Sequence, residues 1–351
     1  MSFKVLKIVF KVGTILGVTP PYNKTKTSCF RKIYSYFIIA FTTCGLAISV
    51  YFRKSSYLRF FFLKAVSQIL VESSLYFLNI HAVFAALRKK RQWYKLLQIL
   101  KTVQAESKNG FHCVIFIASN LIFCAYQTYM TLIVTRILGV NFYKQFAIEY
   151  LQLYNQFIVN YLLFVFLTML LDRYQRLGDN LKKLKTSGYQ YSLCVVHEAA
   201  YDVCLLKESV DILNDIFGWP ILLTVAFTGL QMLIYLEITI VIPRLGGAVI
   251  SYIVAIILWH GVCTFGNIFL CDLVTNEARE LLAEVHSLEK YLSDGDKNRE
   301  ALRRFAGVLR NNLPRFTAAR FFGVDRTTIL GTFQAIVTFL ILMIQLDISA
   351  Y

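Results

Sequence analysis

Amide, carboxyl and hydroxyl side chains recur inside long apolar runs of this chain, and their spacing places them on helix faces. In 327–346, "TTILGTFQAIVTFLILMIQL", Gly331, Gln334, Thr338, Ile341 and Gln345 fall three or four residues apart and share one face. Glu149, Gln152, Gln156 and Asn160 form a second stripe, Thr224, Thr228, Gln231 and Tyr235 a third, and Glu72, Tyr76 and Asn79 a fourth. The chemistry such stripes offer is hydrogen bonding. An amide or carboxylate in hydrocarbon is unfavourable unless protein groups or water satisfy it. Each stripe therefore turns toward another helix or toward a wet cavity, and spacing alone leaves both readings open. For 327–346 the second reading is a pore face repeated in several subunits. Catalytic chemistry lacks its parts: His81 and His260 are isolated, no Cys or His spacing fits zinc, and no glycine-rich loop is built for phosphate. Neither a metal nor a cofactor is expected.

Membrane-spanning helices must carry these stripes. Hydrophobic residues make up 57% of the 351, charged residues only 17%, and mean hydropathy is +0.55. A soluble domain is about 25% charged. A span needs about 20 mostly apolar residues. The segments 33–52, 66–87, 111–134, 146–171, 216–242, 247–271 and 328–346 qualify, the second being the most polar because of Glu72, Asn79 and His81. An all-α protein with seven transmembrane helices is the expectation.

Charge sets the orientation. The net charge is +16, yet the spans contain neither Lys nor Arg. Flanking charge of this kind fits a lipid bilayer and argues against nucleic acid. Of the 37 Lys and Arg, 30 lie in the N-terminal tail and in 88–110, 172–215 and 272–327. Positive charge stays on the cytoplasmic side, so a cytoplasmic N-terminus and an extracellular C-terminus are expected. Depth then follows. Glu72, Tyr76, Glu149, Gln152, Gln156, Tyr252 and Trp259 fall in the outer half or near mid-membrane, on spans that run inward. Tyr126, Gln127, Gln231 and Tyr235 reach the outer half on spans that run outward. Together these could line a pocket open to the outside and suited to a small organic ligand; packing between helices is the alternative for each. Glu237, near the outer interface, reads as a side chain that reaches water.

Between the spans, 273–292 is amphipathic, with Val274, Leu281, Leu282, Val285, Leu288 and Leu292 on one stripe. "SDGD" at 293–296 breaks it, and a second helix runs to about Leu313, before Pro314. Segment 194–215 is helical in pattern and continues into the fifth span. These stripes need partners, either one another or a neighbouring subunit. At the start, Phe3, Leu6, Val9, Phe10 and Gly13 recur at helical spacing, and Lys4, Lys7 and Lys11 interrupt any signal-peptide core. An amphipathic helix lying on the inner membrane surface is expected there. Asp172-Arg173-Tyr174 matches a triplet of rhodopsin-like G-protein-coupled receptors, but it ends the fourth span rather than the third. Those receptors also place the N-terminus outside, so the triplet reads as charges at a helix end.

At 338–346, "TFLILMIQL" resembles the C-terminal signature of insect gustatory receptors: Thr-Tyr, five hydrophobic residues, Gln-Phe. Thr338 and Gln345 match; Phe339 stands for Tyr and Leu346 for Phe. The run "FTAARFFGVDRTTILGTFQAIV" before it is similar to that family's approach to its last span. The resemblance implies a ligand-gated, non-selective cation channel in the plasma membrane. It would be a homo- or heterotetramer with other gustatory receptors, opened by a small-molecule tastant. It also implies that Gln334, Thr338, Ile341, Gln345 and Leu346 line the pore, with Gln345 and Leu346 at the outer gate. Residues 1–271 would then form the ligand-binding bundle, 272–327 a cytoplasmic helical anchor, and 328–351 the pore helix and tail. Sugar-sensing members often carry an acid where this chain has Leu340. That favours bitter or plant compounds, with a sugar such as fructose as the alternative. Odorant receptors of the same superfamily share the architecture, though their endings resemble this one less.

Overall fold

The computed structural model describes residues 3–22, 29–57, 62–102, 111–139, 141–186, 193–241, 246–291 and 297–349. Ten helices and one short hairpin account for them: α1 Phe3–Ile15, α2 Cys29–Tyr57, α3 Phe62–Arg88, α4 Lys90–Thr102, α5 Phe111–Leu138, α6 Asn141–Thr186, α7 Leu193–Val241, α8 Gly247–Tyr291, α9 Lys297–Asn311, β1 Thr317–Ala318, β2 Phe322–Gly323 and α10 Arg326–Ser349. Seven of these helices (α2, α3, α5, α6, α7, α8 and α10) are long and apolar enough to cross a membrane. They carry the seven segments read from the sequence.

Helix α6 is the most enclosed of the seven. It packs along α8 and α2, while α3 packs along α7. As expected, 194–215 continues into the fifth span as one helix, α7. The sixth span and the amphipathic segment after it are likewise one helix, α8. Residues 292–296, which include Leu292 and the expected break, lie outside the described residues. Pro220 sits inside α7, where it removes one backbone donor.

Two kinds of cohesion hold the bundle. Within hydrocarbon, helices gain little from leaving apolar surroundings, so packing and hydrogen bonds act between them. Beyond the apolar spans the hydrophobic effect operates. There Val274, Leu281, Val285 and Leu288 of α8 bury against the same core as Val203, Leu206 and Val210 of α7 and Leu302, Phe305 and Leu309 of α9. Each such side chain contributes about 1.5–3 kcal/mol. The amphipathic stripes thus find their partners within one chain.

The N-terminal helix departs from expectation. Its apolar stripe does not lie on a membrane surface: Val5, Leu6, Val9 and Phe10 are fully buried in protein. The Phe10 ring meets Trp93 of α4 edge-on at 5.5 Å and Phe166 of α6 at 6.4 Å. A turn at Gly17, with φ +77°, and the Thr19 hydroxyl donating to the Phe10 carbonyl at 3.0 Å fold the chain back. Periodicity reports a wet side and a dry side of a helix; it does not say whether lipid or protein covers the dry one. The Asp-Arg-Tyr triplet is helix interior: Tyr174 is fully buried and Arg173 donates to the Leu100 carbonyl at 3.3 Å.

The hairpin before α10 has no counterpart in the sequence reading. Thr317 pairs with Gly323 and Ala318 with Phe322. Ala319 and Arg320 form the tip with φ +49° and +66°. Asn214 of α7 clamps it, donating to the Arg315 carbonyl at 2.7 Å and accepting from the Thr317 amide at 3.0 Å. Asp325 then caps α10, accepting from the amides of Thr327 and Thr328. Arg326 anchors the helix start on Asp272 of α8 at 2.6 Å.

Candidate functional site

A cavity of about 290 Å³ opens between α5, α6, α7 and α8, with α2 and α3 at its rim. Its depth follows from α6, along which the lining residues run from Phe142 to Leu153, about three turns. Six of the eleven expected ligand residues line it: Tyr126 and Gln127 from α5, Glu149 from α6, Gln231 and Tyr235 from α7, and Tyr252 from α8. The Tyr235 and Tyr252 rings meet edge-on at 6.0 Å, with hydroxyls 3.5 Å apart. Both polar atoms of the Gln127 amide are buried without a hydrogen-bond partner among the described residues.

The other five lie elsewhere. Trp259 stacks on the back of Tyr126, with centroids 5.2 Å apart, inside an aromatic cluster with Phe123 and Phe157. It lines a second, more apolar cavity with Asn160 and Tyr161. Gln156 lies about a turn past Leu153 and is buried. Gln152 is also buried, on the side of α6 that meets α3, where its carbonyl accepts from Asn79 at 3.3 Å. Tyr76 shares a 2.9 Å hydrogen bond with Thr43 of α2, away from the cavity. Glu72 stands behind the rim.

The rim holds the groups that sequence reasoning missed. Arg53, at the end of the first span, is 5% exposed, although its position suggested a loop. Its Nη1 lies 3.0 Å from Glu72 and 3.1 Å from Glu149, and its Nη2 donates to Ser49 at 2.6 Å. The guanidinium also sits 4.8 Å over the Phe146 ring. One side chain thereby joins α2, α3 and α6. Lys64 of α3 pairs with Glu237 of α7 at 3.3 Å, so Glu237 is held by a cation rather than reaching water alone. Gln68, Gln145, Tyr150 and His260 complete the polar lining. Arg53 and Lys64 carried one signal in the sequence: each lies within two residues of an apolar span.

The cavity and the last helix are one helix apart. Gln231 and Tyr235 of α7 face the cavity, whereas Gly229, Leu230 and Leu233 face α10. The Phe265 ring of α8 meets Phe333 of α10 at 5.2 Å. Ile336 and Met343 turn α10 inward and are buried. Gln334, Thr338, Ile341 and Gln345 lie on the opposite face and are exposed; the Thr338 hydroxyl donates to the Gln334 carbonyl at 2.9 Å. The side chain of Leu346 lies outside the described residues.

The geometry suits reversible binding of a small polar molecule. No cluster of His, Cys, Asp and Glu among the described residues could hold a metal. The family model of 7tm chemosensory receptors matches residues 6–350. A structure of the insect olfactory receptor OR5 from Machilis hrabei in complex with eugenol shares the fold, with TM-score 0.67 and 14% identity, over 98% of this chain and 99% of that one. A second structure of the same receptor gives TM-score 0.68 and 14% identity, over 98% and 97%. No curated protein matches the chain in sequence.

Proposed function

The chain belongs to the 7tm chemosensory receptor family, and from that premise we propose that it is a ligand-gated, non-selective cation channel opened by a water-soluble tastant. The family is one of receptors rather than enzymes. In this reading four copies, identical or mixed with other gustatory receptors, surround a pore lined by α10. The N-terminus lies in the cytoplasm and the cavity opens outward. Residues 1–271 hold the ligand, 272–327 anchor the subunits and 328–351 carry the gate.

The observation that carries the ligand class is the buried Gln127 amide, without a partner among the described residues, in a cavity ringed with hydroxyls and amides. Leaving such a group unpaired costs about 1–3 kcal/mol. A ligand with several hydroxyl or carbonyl groups recovers that loss; an apolar volatile does not. This supports taste over olfaction and a polar plant compound, such as a bitter glycoside, over a hydrocarbon-like odorant. A sugar offers the same groups, and calcium imaging with sugars, glycosides and alkaloids separates the two.

Gating follows from differential affinity. A ligand that fits a rearranged α7–α8 pair better shifts that pair, and α10 packs on both. Rotation or separation of the four α10 helices then wets the pore. Gln127→Leu is expected to fold as well as the parent and to raise the half-maximal ligand concentration at least about tenfold. An unchanged dose–response curve removes Gln127 from the binding site. Gln345→Ala is expected to change ion selectivity or open time, measured as reversal potential and dwell time in patch recordings; unaltered currents exclude it from the pore.

A further inference from the structure

The outer side of the α3–α7 pair carries a groove of about 490 Å³ that the proposed channel mechanism does not use. Phe77, Ile80, Phe84 and Leu223 form its apolar walls, and Trp219 and Arg88 stand at its foot. We infer that this groove binds an acyl chain of an anionic phospholipid, whose phosphate is held by Arg88 and Arg320.

Length, charge and position each point to that occupant. From Phe77 to Arg88 the helix rises about 16 Å, close to half of the roughly 30 Å hydrocarbon thickness. The groove therefore spans one leaflet, and a chain entering it meets Arg88 at headgroup depth. Arg88 is exposed, with its guanidinium 5.5 Å from the Phe84 ring centroid. Next to it Lys89 and Asp215 neutralise each other at 3.1 Å. Arg320, at the exposed tip of the hairpin, directly precedes Phe321, whose ring meets the groove residue Trp219 at 6.0 Å. Two arginine charges thus remain in excess at the foot of the groove, and none of its lining residues is acidic. Arginine matches phosphate geometry, and Trp is favoured at the interface. His81 adds a polar atom: its Nδ1 is buried beside the groove without a partner among the described residues.

The site touches the gating machinery at one point. Trp219 meets Phe321 of the hairpin edge-on at 6.0 Å, and the hairpin leads directly into α10. A lipid seated against Trp219 steadies that contact. On the charge-based orientation, the leaflet is the cytoplasmic one, where anionic lipids concentrate.

The test uses the full-length receptor in vesicles of phosphatidylcholine with and without phosphatidylserine, followed by detergent extraction and mass spectrometry of the lipids retained. The wild type is expected to retain phosphatidylserine in preference to phosphatidylcholine. The Arg88→Gln/Arg320→Gln variant is expected to lose that preference about tenfold, and Arg88→Lys/Arg320→Lys to keep most of it. A photoreactive phosphatidylserine should label a peptide containing Phe77 or Phe84, a readout on the wild type that does not depend on any variant folding. Equal retention of both lipids, full preference in the Gln variant, displacement by inorganic phosphate, or absence of label at this groove would each overturn the inference.

Discussion

Replacing Arg53 with methionine is expected to destabilise the folded receptor by about 3–5 kcal/mol, the cost of breaking a buried ion pair from one side. The residue is 5% exposed and its guanidinium lies within 3.1 Å of two carboxylates. Methionine fills similar space but leaves Glu72 and Glu149 without the cation they share. A native protein holds only about 5–15 kcal/mol in total, so surface expression should collapse and the detergent-solubilised receptor should melt well below wild type. The neutral triple variant Arg53→Met/Glu72→Gln/Glu149→Gln should recover much of the loss, since a buried ionic cluster is often replaceable as a unit. Wild-type melting of the single variant would show that the cluster contributes nothing.

The second large effect is expected from one added methyl group. A Cβ on Gly218 would stand 2.9 Å from the backbone nitrogen of Ala319 and 3.2 Å from its Cα. Backbone cannot rotate aside as a side chain can, so in Gly218→Ala the hairpin must shift. Overpacking of this kind costs about 1–3 kcal/mol. The shift also strains the two hydrogen bonds from Asn214, one turn away. Alanine itself favours helix α7 over glycine by about 1 kcal/mol, so the bundle should still fold. Ligand-evoked current per surface receptor is expected to fall about tenfold, because the hairpin is the covalent lead into α10. Normal current per receptor, with surface labelling as the denominator, would detach the hairpin from gating.

These two residues also mark where sequence reading stopped. The seven spans were legible because an apolar run long enough to cross a bilayer is a strong, local signal. The continuous α7 and the amphipathic part of α8 were legible for the same reason: their periodicity is local. Arg53 reads from the sequence as a charge just past a span, because nothing local reports that α3 and α6 each bring a carboxylate to it. Two strands of two residues each are too short to show alternation, so the hairpin was invisible. Helical stripes gave direction without depth or neighbour. Glu149 reaches the cavity, whereas Gln152 and Gln156 of the same stripe do not. Tyr150 and His260 line it although neither lay on a stripe. The N-terminal helix is legible, but its periodicity does not tell that Trp93 and Phe166, rather than lipid, cover its dry side.

The polar stripe on α10 lies on an exposed face of the helix. Gln334, Thr338 and Gln345 are exposed, on the face of α10 opposite the buried Ile336 and Met343. An exposed face of two amides and a hydroxyl on an otherwise apolar helix is what the proposed shared pore requires.

On the proposed function, this chain itself conducts ions when a polar ligand enters the α5–α8 cavity. The most direct measurement is current across a planar bilayer containing only the purified receptor, with no G protein present, before and after addition of an active glycoside or sugar. Discrete cation-selective openings that appear with ligand, and that need about tenfold more of it in Gln127→Leu, are the expected result. A silent bilayer, together with cellular responses that vanish when G proteins are blocked, would contradict the account.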